Sequence, residues 1–111
     1  MALYLMQLSY TKESLAAQMK NPQDRLKTNS EMMAKSTGSK VLAAGYAFGE
    51  FDVALVVETA DNTTIAAISI ALSAGGAVAS VKTTPLLSGN EWVAAMTKAS
   101  TVTYSPAVPK K

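Results

Sequence analysis

The sequence contains neither cysteine nor histidine. Without cysteine the chain has no disulfide framework and no thiolate nucleophile. Without histidine it lacks the commonest metal ligand and the commonest general base. We therefore predict that it holds no metal and no cofactor. Charged residues are also scarce, at 16% of the chain against roughly 25% in an average domain.

The chain has no strongly basic or acidic segment. Ten basic residues face eight acidic ones, and two of the basic residues are the C-terminal Lys110 and Lys111. Nucleic-acid binding needs clustered basic residues on one face, so we predict no nucleic-acid partner. The charge-free run 62–81 approaches the length of a membrane span. However, Gly75-Gly76 and several Ser and Thr residues interrupt it, so we predict no membrane segment. No secretory signal is evident, and a cytoplasmic location is expected.

Hydrophobic residues make up 49% of 111 residues. This length fits one domain, which we place at residues 1–99, followed by an extended tail at 100–111. A domain of this size buries only about 60–70% of its chain surface on folding. The remaining apolar surface favours a homo-oligomer, either a dimer or a multiple of dimers.

The first half of the chain predicts a strand and two helical segments. Ala2 to Tyr10 is rich in Leu, Tyr and Met, as strands are, and Thr11 can cap the helix that follows. Pro22 interrupts that helix, and Asn21 as an N-cap would restart it. The apolar residues of both segments are expected on one buried face: Leu15, Met19, Pro22, Leu26 and Met33. Gly38 should end the second segment.

The centre of the chain predicts a β-hairpin. Two strands, 41–48 and 51–59, are separated only by Gly49 and Glu50, a pair suited to a two-residue type II′ turn. This loop pairs Phe48 with Phe51 and places the other residues in the register Tyr46–Val53, Ala44–Leu55 and Leu42–Val57. One face is bulky and the other is small but still apolar. We favour the bulky face beneath the helices, because Asp52 and Glu58 then lie on the more open side.

The second half predicts a helix, a strand and a further helix. Asp61 is expected to cap an alanine-rich helix that buries Ile65, Ile68 and Leu72 and stops at Gly75-Gly76. The strand 77–87 follows, with Pro85 marking its end or an exposed edge. Ser88 and Glu91 have the spacing of a capping box, so an extra C-terminal helix should carry Trp92, Ala95, Met96 and Ala99.

The order strand, helix, strand, strand, helix, strand predicts an α+β protein of the ferredoxin-like βαββαβ type, with an antiparallel four-stranded sheet. In a monomer of this type the uncovered face should be polar at alternate positions. Both faces of the hairpin are apolar here. The pattern therefore favours a second sheet closing over the first, which makes a dimeric α/β barrel.

The run from Tyr46 to Val53 resembles the signature region of the GYD domain family, together with Glu58, Asp61-Asn62, Gly75-Gly76 and Thr83-Thr84. The resemblance covers roughly the first hundred residues. It implies a small bacterial or archaeal protein of the dimeric α/β-barrel type, from a family that is essentially uncharacterised. Phe51 stands where the family's tyrosine is expected, so the resemblance implies no role for a phenolic hydroxyl at that position.

Asp52 and Tyr46 are the only plausible catalytic side chains. Asp52 could act as a base at the mouth of a pocket, although a strand-end aspartate more often accepts hydrogen bonds at a turn. Glu58 lies about 20 Å along the same strand, too far for a carboxylate pair. Tyr46, Phe48, Phe51 and Asp52 are candidate ligand-binding residues. Aromatic residues at these spacings, with Trp92, are more often core or interface.

These features favour a small oligomeric module that binds a small apolar or aromatic molecule between its sheets. The alternative is a cofactor-independent oxygenase or isomerase acting on a small metabolite, and a purely structural oligomer is a third possibility. A pocket lined by Asp52 would favour the enzyme. An Asp52 engaged with backbone amides at the turn would favour the other two.

Overall fold

A computed structural model describes residues 2–109. Met1 of the predicted domain and Lys110 and Lys111 of the predicted tail lie outside the described residues. The described chain forms four strands and four helices. In chain order these are β1 (Ala2–Tyr10), α1 (Lys12–Lys20), α2 (Arg25–Thr37), β2 (Lys40–Tyr46), β3 (Val53–Thr59), α3 (Asn62–Ala74), β4 (Val78–Leu86) and α4 (Gly89–Ala99).

The four strands form one antiparallel sheet in the order β2-β3-β1-β4. This confirms the predicted ferredoxin-like α+β fold with an extra C-terminal helix. β4 is an edge strand, which is where Pro85 can be accommodated without loss of a ladder hydrogen bond. The sheet is open along both edges within residues 2–109, and the barrel and the dimer stay predictions.

The bulky face of the sheet lies beneath the helices, as favoured from the sequence. Its buried side chains come from alternate positions of the two central strands and from α3, and they are Tyr4, Met6, Leu8, Val53, Leu55, Val57, Ile65 and Ile68. The ladder brings Tyr4 opposite Val57 and Met6 opposite Leu55. Cross-strand apolar pairs of this kind, covered by one helix, form the core.

Most helix boundaries follow the predicted capping signals. The Thr11, Asp61 and Ser88 side chains each accept a hydrogen bond from a backbone amide of the first turn, and Ser88 with Glu91 completes a capping box. Gly38 ends α2 with a φ of 71°, a left-handed conformation that glycine adopts without steric cost. The charge-free run 62–81 forms α3, a turn and the start of β4. No helix among residues 2–109 is both long and apolar enough to cross a membrane.

The predicted restart of the helix at Asn21 is wrong in its detail. The break is present, but Asp24 is the N-cap of α2, and its carboxylate accepts a hydrogen bond from the Leu26 amide. The common buried face is also wrong, because Met19 is 82% exposed and no residue of α1 or α2 is fully buried. The non-helical residues between α1 and α2 do not keep the helical repeat. Spacing across them therefore does not define one face.

The hairpin register is confirmed over its central pairs, Tyr46–Val53 and Ala44–Leu55. The predicted two-residue turn is wrong, because the strands end at Tyr46 and Val53 and residues 47–52 connect them. Phe48 is therefore not paired with Phe51 in the ladder, and its side chain is fully exposed. Gly49 does have the expected positive φ, at 130°.

The predicted pair Leu42–Val57 is also wrong, because the register shifts between Val41 and Ala43. Val41 lies opposite Val57 and packs against the core, whereas Leu42 is exposed. A bulge of this kind inserts one unpaired residue and moves the residues beyond it to the other face.

Met6 is fully buried at the centre of the sheet. We expect Met6→Ala to lower the free energy of unfolding by about 2–5 kcal/mol, because it removes buried methylene groups and leaves a cavity. Met19→Ala is the matched control: the same substitution at an exposed helical position should change stability by less than about 0.5 kcal/mol. Urea denaturation of both variants measures the difference. Equal losses would contradict the assignment of the core.

Candidate functional site

The helices leave a large cleft above the bulky face of the sheet. Its volume is about 1080 Å³, which slightly exceeds the usual range of small-molecule pockets. The side chains of Leu8, Val53 and Leu55 form its floor. The walls are α1 and α2 on one side and α3 on the other. We refer to this space as the helix-side cleft.

The two walls of the helix-side cleft differ in chemistry. α3 contributes only small or aliphatic side chains, namely Ala67, Ile68, Ala71 and Leu72. The opposite wall mixes Leu26 and Met33 with polar residues, which are Glu13, Ser14, Gln18, Arg25, Asn29, Ser30, Ser36 and Thr37. A molecule in the cleft would therefore meet an apolar floor and one apolar wall, with hydrogen-bonding groups on the other side.

Tyr10 lies at one end of the helix-side cleft, at the last position of β1. Burial raises the pKa of its phenol above the ordinary value, and the nearby Tyr46 and Asp52 raise it further, whereas Arg25 opposes them. A phenol is protonated at neutral pH, and the raised pKa extends this state to higher pH, so the hydroxyl is available as a hydrogen-bond donor.

The Asp52 carboxylate is engaged with the backbone. Its Oδ2 accepts a hydrogen bond from the Tyr10 amide at 2.9 Å. The Asp52 amide donates to the Leu8 carbonyl, and the Asp52 carbonyl accepts from the Ala47 amide. Asp52 thus connects the hairpin loop to the end of β1. This is the structural role at a turn that the sequence analysis gave as the alternative to a catalytic base.

The Tyr46 phenol is also engaged with the backbone. Its oxygen donates to Asp24 Oδ1 at 3.0 Å and accepts from the Arg25 and Leu26 amides at 3.2 Å. These bonds join the end of β2 to the first turn of α2, whose amides have no partner within the helix. Tyr46 therefore positions one wall of the cleft without lining it.

The structure places none of the four predicted ligand-binding residues in the lining of the helix-side cleft. Tyr46 and Phe48 are exposed, and Phe51 and Asp52 are half-buried in the hairpin loop. Trp92 is 60% exposed on α4. None of these side chains belongs to the core of the described chain. Contacts of Tyr46, Phe48, Phe51 and Asp52 with a ligand stay a prediction.

The GYD domain family model matches residues 4–96. The chain belongs to the GYD domain family. The match begins within β1 and extends into α4, so it takes in all four strands, apart from the first two residues of β1, and the helix-side cleft. No curated protein matches the chain. The family match confirms the resemblance seen in the sequence, and the function of the GYD domain family is uncharacterised.

Sequence reasoning missed Tyr10 as a residue of this GYD domain's cleft. A usable signal was present, because Tyr10 has the same strand parity as Tyr4, Met6 and Leu8, whose side chains face the helices. Arg25 had no such signal. Its position depends on where α2 restarts after the break, and that point was predicted three residues too early.

We expect Asp52→Ala to destabilise the fold by about 1–3 kcal/mol, because the half-buried end of β1 loses the acceptor for the Tyr10 amide. Asp52→Asn keeps an oxygen acceptor at the same place and should cost less than half as much. Urea denaturation at neutral pH compares the two variants. An unchanged stability of Asp52→Ala would contradict the structural role of this carboxylate.

Proposed function

We propose that this protein binds a small apolar or aromatic molecule in the helix-side cleft. The observation that carries the proposal is the cleft itself, about 1080 Å³ in volume with an apolar floor and one apolar wall. Ligand sites are typically mostly apolar with a few convergent polar groups, and here Tyr10 and Arg25 supply such groups at one end. A ligand with an apolar body and one polar end fits this arrangement best.

Binding is favoured over an oxygenase or isomerase activity. A catalytic base must reach the proton that it removes, and the two predicted catalytic side chains, Asp52 and Tyr46, do not line the cleft. Both are held in hydrogen bonds with backbone amides. Their arrangement supports a role in the architecture of the cleft.

A cleft-filling substitution tests the proposed site. In Ala67→Phe, the new ring would occupy space beside the floor, so the affinity for the probe 8-anilinonaphthalene-1-sulfonate should fall at least about tenfold, equivalent to about 1.4 kcal/mol. Ala66→Phe is the matched control, since Ala66 is exposed on the same helix, as Ala67 is, but does not line the cleft. Fluorescence titration measures both.

A third variant separates the helix-side cleft from a site between two sheets, the place expected from the sequence. Ala54→Phe adds the same ring to the open face of the sheet. If this variant loses affinity and Ala67→Phe keeps it, the ligand lies between sheets and the proposed site is wrong. Equal affinities of all three variants would place the probe elsewhere on the surface.

We also propose that the protein is a dimer formed through the open face of the sheet. This surface, which we call the open face, consists of the strand positions that point away from the helices. It includes Leu3, Leu5, Ala54 and Val56, which are half-buried, beside the exposed Ala43 and Gly45. Polar residues begin at Gln7, which lies opposite Ala54 and Lys82. In a sheet with one solvated face, residues along each strand normally alternate between apolar residues toward the core and polar residues toward solvent. This apolar group therefore favours a second copy as its cover.

We expect Val56→Glu to weaken dimerisation at least about hundredfold, because an uncompensated charge buried in an interface costs several kcal/mol. Ile70→Glu is the control, since Ile70 is exposed on α3 away from the open face. Sedimentation velocity over a range of concentrations measures both. A wild-type protein that stays monomeric at all concentrations would overturn the proposed dimer.

A further inference from the structure

The C-terminal part of the chain projects away from the sheet and its covering helices. Every residue from Leu87 to Pro109, a segment that we call the arm, is exposed. The radius of gyration is 18.1 Å and the longest extent is 60 Å, whereas a compact chain of this length has a radius of gyration of about 13 Å. The arm accounts for this elongated shape.

The arm exposes several large apolar side chains. Its exposed large side chains are Leu87, Trp92, Val93, Met96, Val102, Tyr104 and Val108. Trp92 and Met96 are four residues apart, which places them on one face of α4. Single exposed apolar residues are ordinary, but a contiguous group on one helix is typical of a contact surface.

α4 also needs a partner for its own stability. It has 11 residues, and isolated helices shorter than about 12–15 residues are marginal in water. Among residues 2–109, the side-chain hydrogen bonds of the arm join arm residues to one another, as in the Ser88–Glu91 capping box. The capping box stabilises the first turn, and packing of the apolar face has to come from another surface.

The start of the arm identifies which surface that is. The arm follows Leu86, which pairs with Leu3 and therefore belongs to the open face at the edge strand β4. When two open faces meet, each arm starts at the boundary between the copies. An arm at this position can extend the contact onto the partner without any change in β4.

The area of the open face points the same way. Four strands about 4.8 Å apart and about seven residues long cover roughly 450 Å² in projection. A standard interface buries about 800 Å² on each partner. The accessible surface of the open face is larger than its projection, so this face is of the order that a small interface needs, and an apolar arm of 23 residues beside it would enlarge the contact.

We propose that the arm packs on a second copy of this chain, so that the two copies of the dimer exchange arms. This inference rests on the proposed dimer through the open face. In a dimer with a two-fold axis both arms make the same contact, because each copy packs its arm on the partner and receives the partner's arm. The apolar face of α4, with Trp92 and Met96, is the part of the arm that makes the contact.

Photocrosslinking with mixed isotopes tests the exchange. The chain has no cysteine, so Met96→Cys gives one attachment site for benzophenone maleimide. Unlabelled and ¹⁵N-labelled copies are refolded together in equal amounts and irradiated. If arms bind the partner, about half of the cross-linked peptide pairs should join an unlabelled peptide to a labelled one. Met19→Cys is the matched control at an exposed position outside the arm and should give no such pairs.

The other outcomes each overturn the inference. Cross-links that join only peptides of equal label would show that the arm binds its own chain. Absence of arm cross-links in a protein that sediments as a dimer would show a free arm, and the proposed dimer would then stand without exchange. A protein that sediments as a monomer at the same concentration would overturn both the dimer and the exchange.

The single tryptophan of the chain provides a second measurement. In the exchanged dimer Trp92 should emit at a shorter wavelength than a solvent-exposed indole, and dilution into the monomer range should shift the emission to longer wavelength. Trp92→Ala should weaken dimerisation at least about tenfold, as large aromatic residues at interfaces often do. Lys98→Ala, on the same helix, should change it less than about twofold. A solvent-like emission that is independent of concentration would contradict the exchange.

Discussion

The fold depends on the burial of one apolar face of strand β1. Its even-numbered residues Tyr4, Met6 and Leu8 point into the core, and the ladders with β3 and β4 fix both neighbouring strands against it. A one-residue slip of either ladder would turn the core residues of that strand to the opposite face. This constraint sets which residues of β3 face the helices. It thereby also sets which residues are left on the open face.

The cleft follows from how incompletely the helices cover that face. α3 supplies the two fully buried helical residues, Ile65 and Ile68, whereas α2 supplies none. α2 is held instead at its first turn, where Tyr46 binds its amides, and at its C-terminal end, where Thr37 bonds to Ser39 and Ser39 to Thr59. Leu26 and Met33 are the α2 residues that pack against the core, and between α2 and α3 the sheet is left uncovered. This gap is the proposed ligand site.

The sequence predicts the elements better than it predicts their packing. The composition that predicts β1, the capping signals at Thr11, Asp61 and Ser88, and Gly38 are local, and each of these predictions is confirmed. The turn at 49–50, the bulge at Leu42 and the restart of α2 depend on contacts between distant residues. Asp52 illustrates the difference, because its partner Tyr10 is 42 residues away. The cleft could not be predicted for the same reason, since no local pattern encodes the gap between two helices.

The same apolar excess that builds the core connects the three proposals. Burial of the bulky face uses alternate residues of β1 and β3, which leaves their other residues, such as Leu5 and Val56, on the open face. A polar substitution there would solubilise a monomer, yet both positions are aliphatic. The arm repeats this pattern, with Trp92 and Met96 exposed on a helix too short to be stable alone. In the proposed dimer, one two-fold contact would cover both apolar surfaces, which meet at Leu86, whereas a monomer would leave both in water.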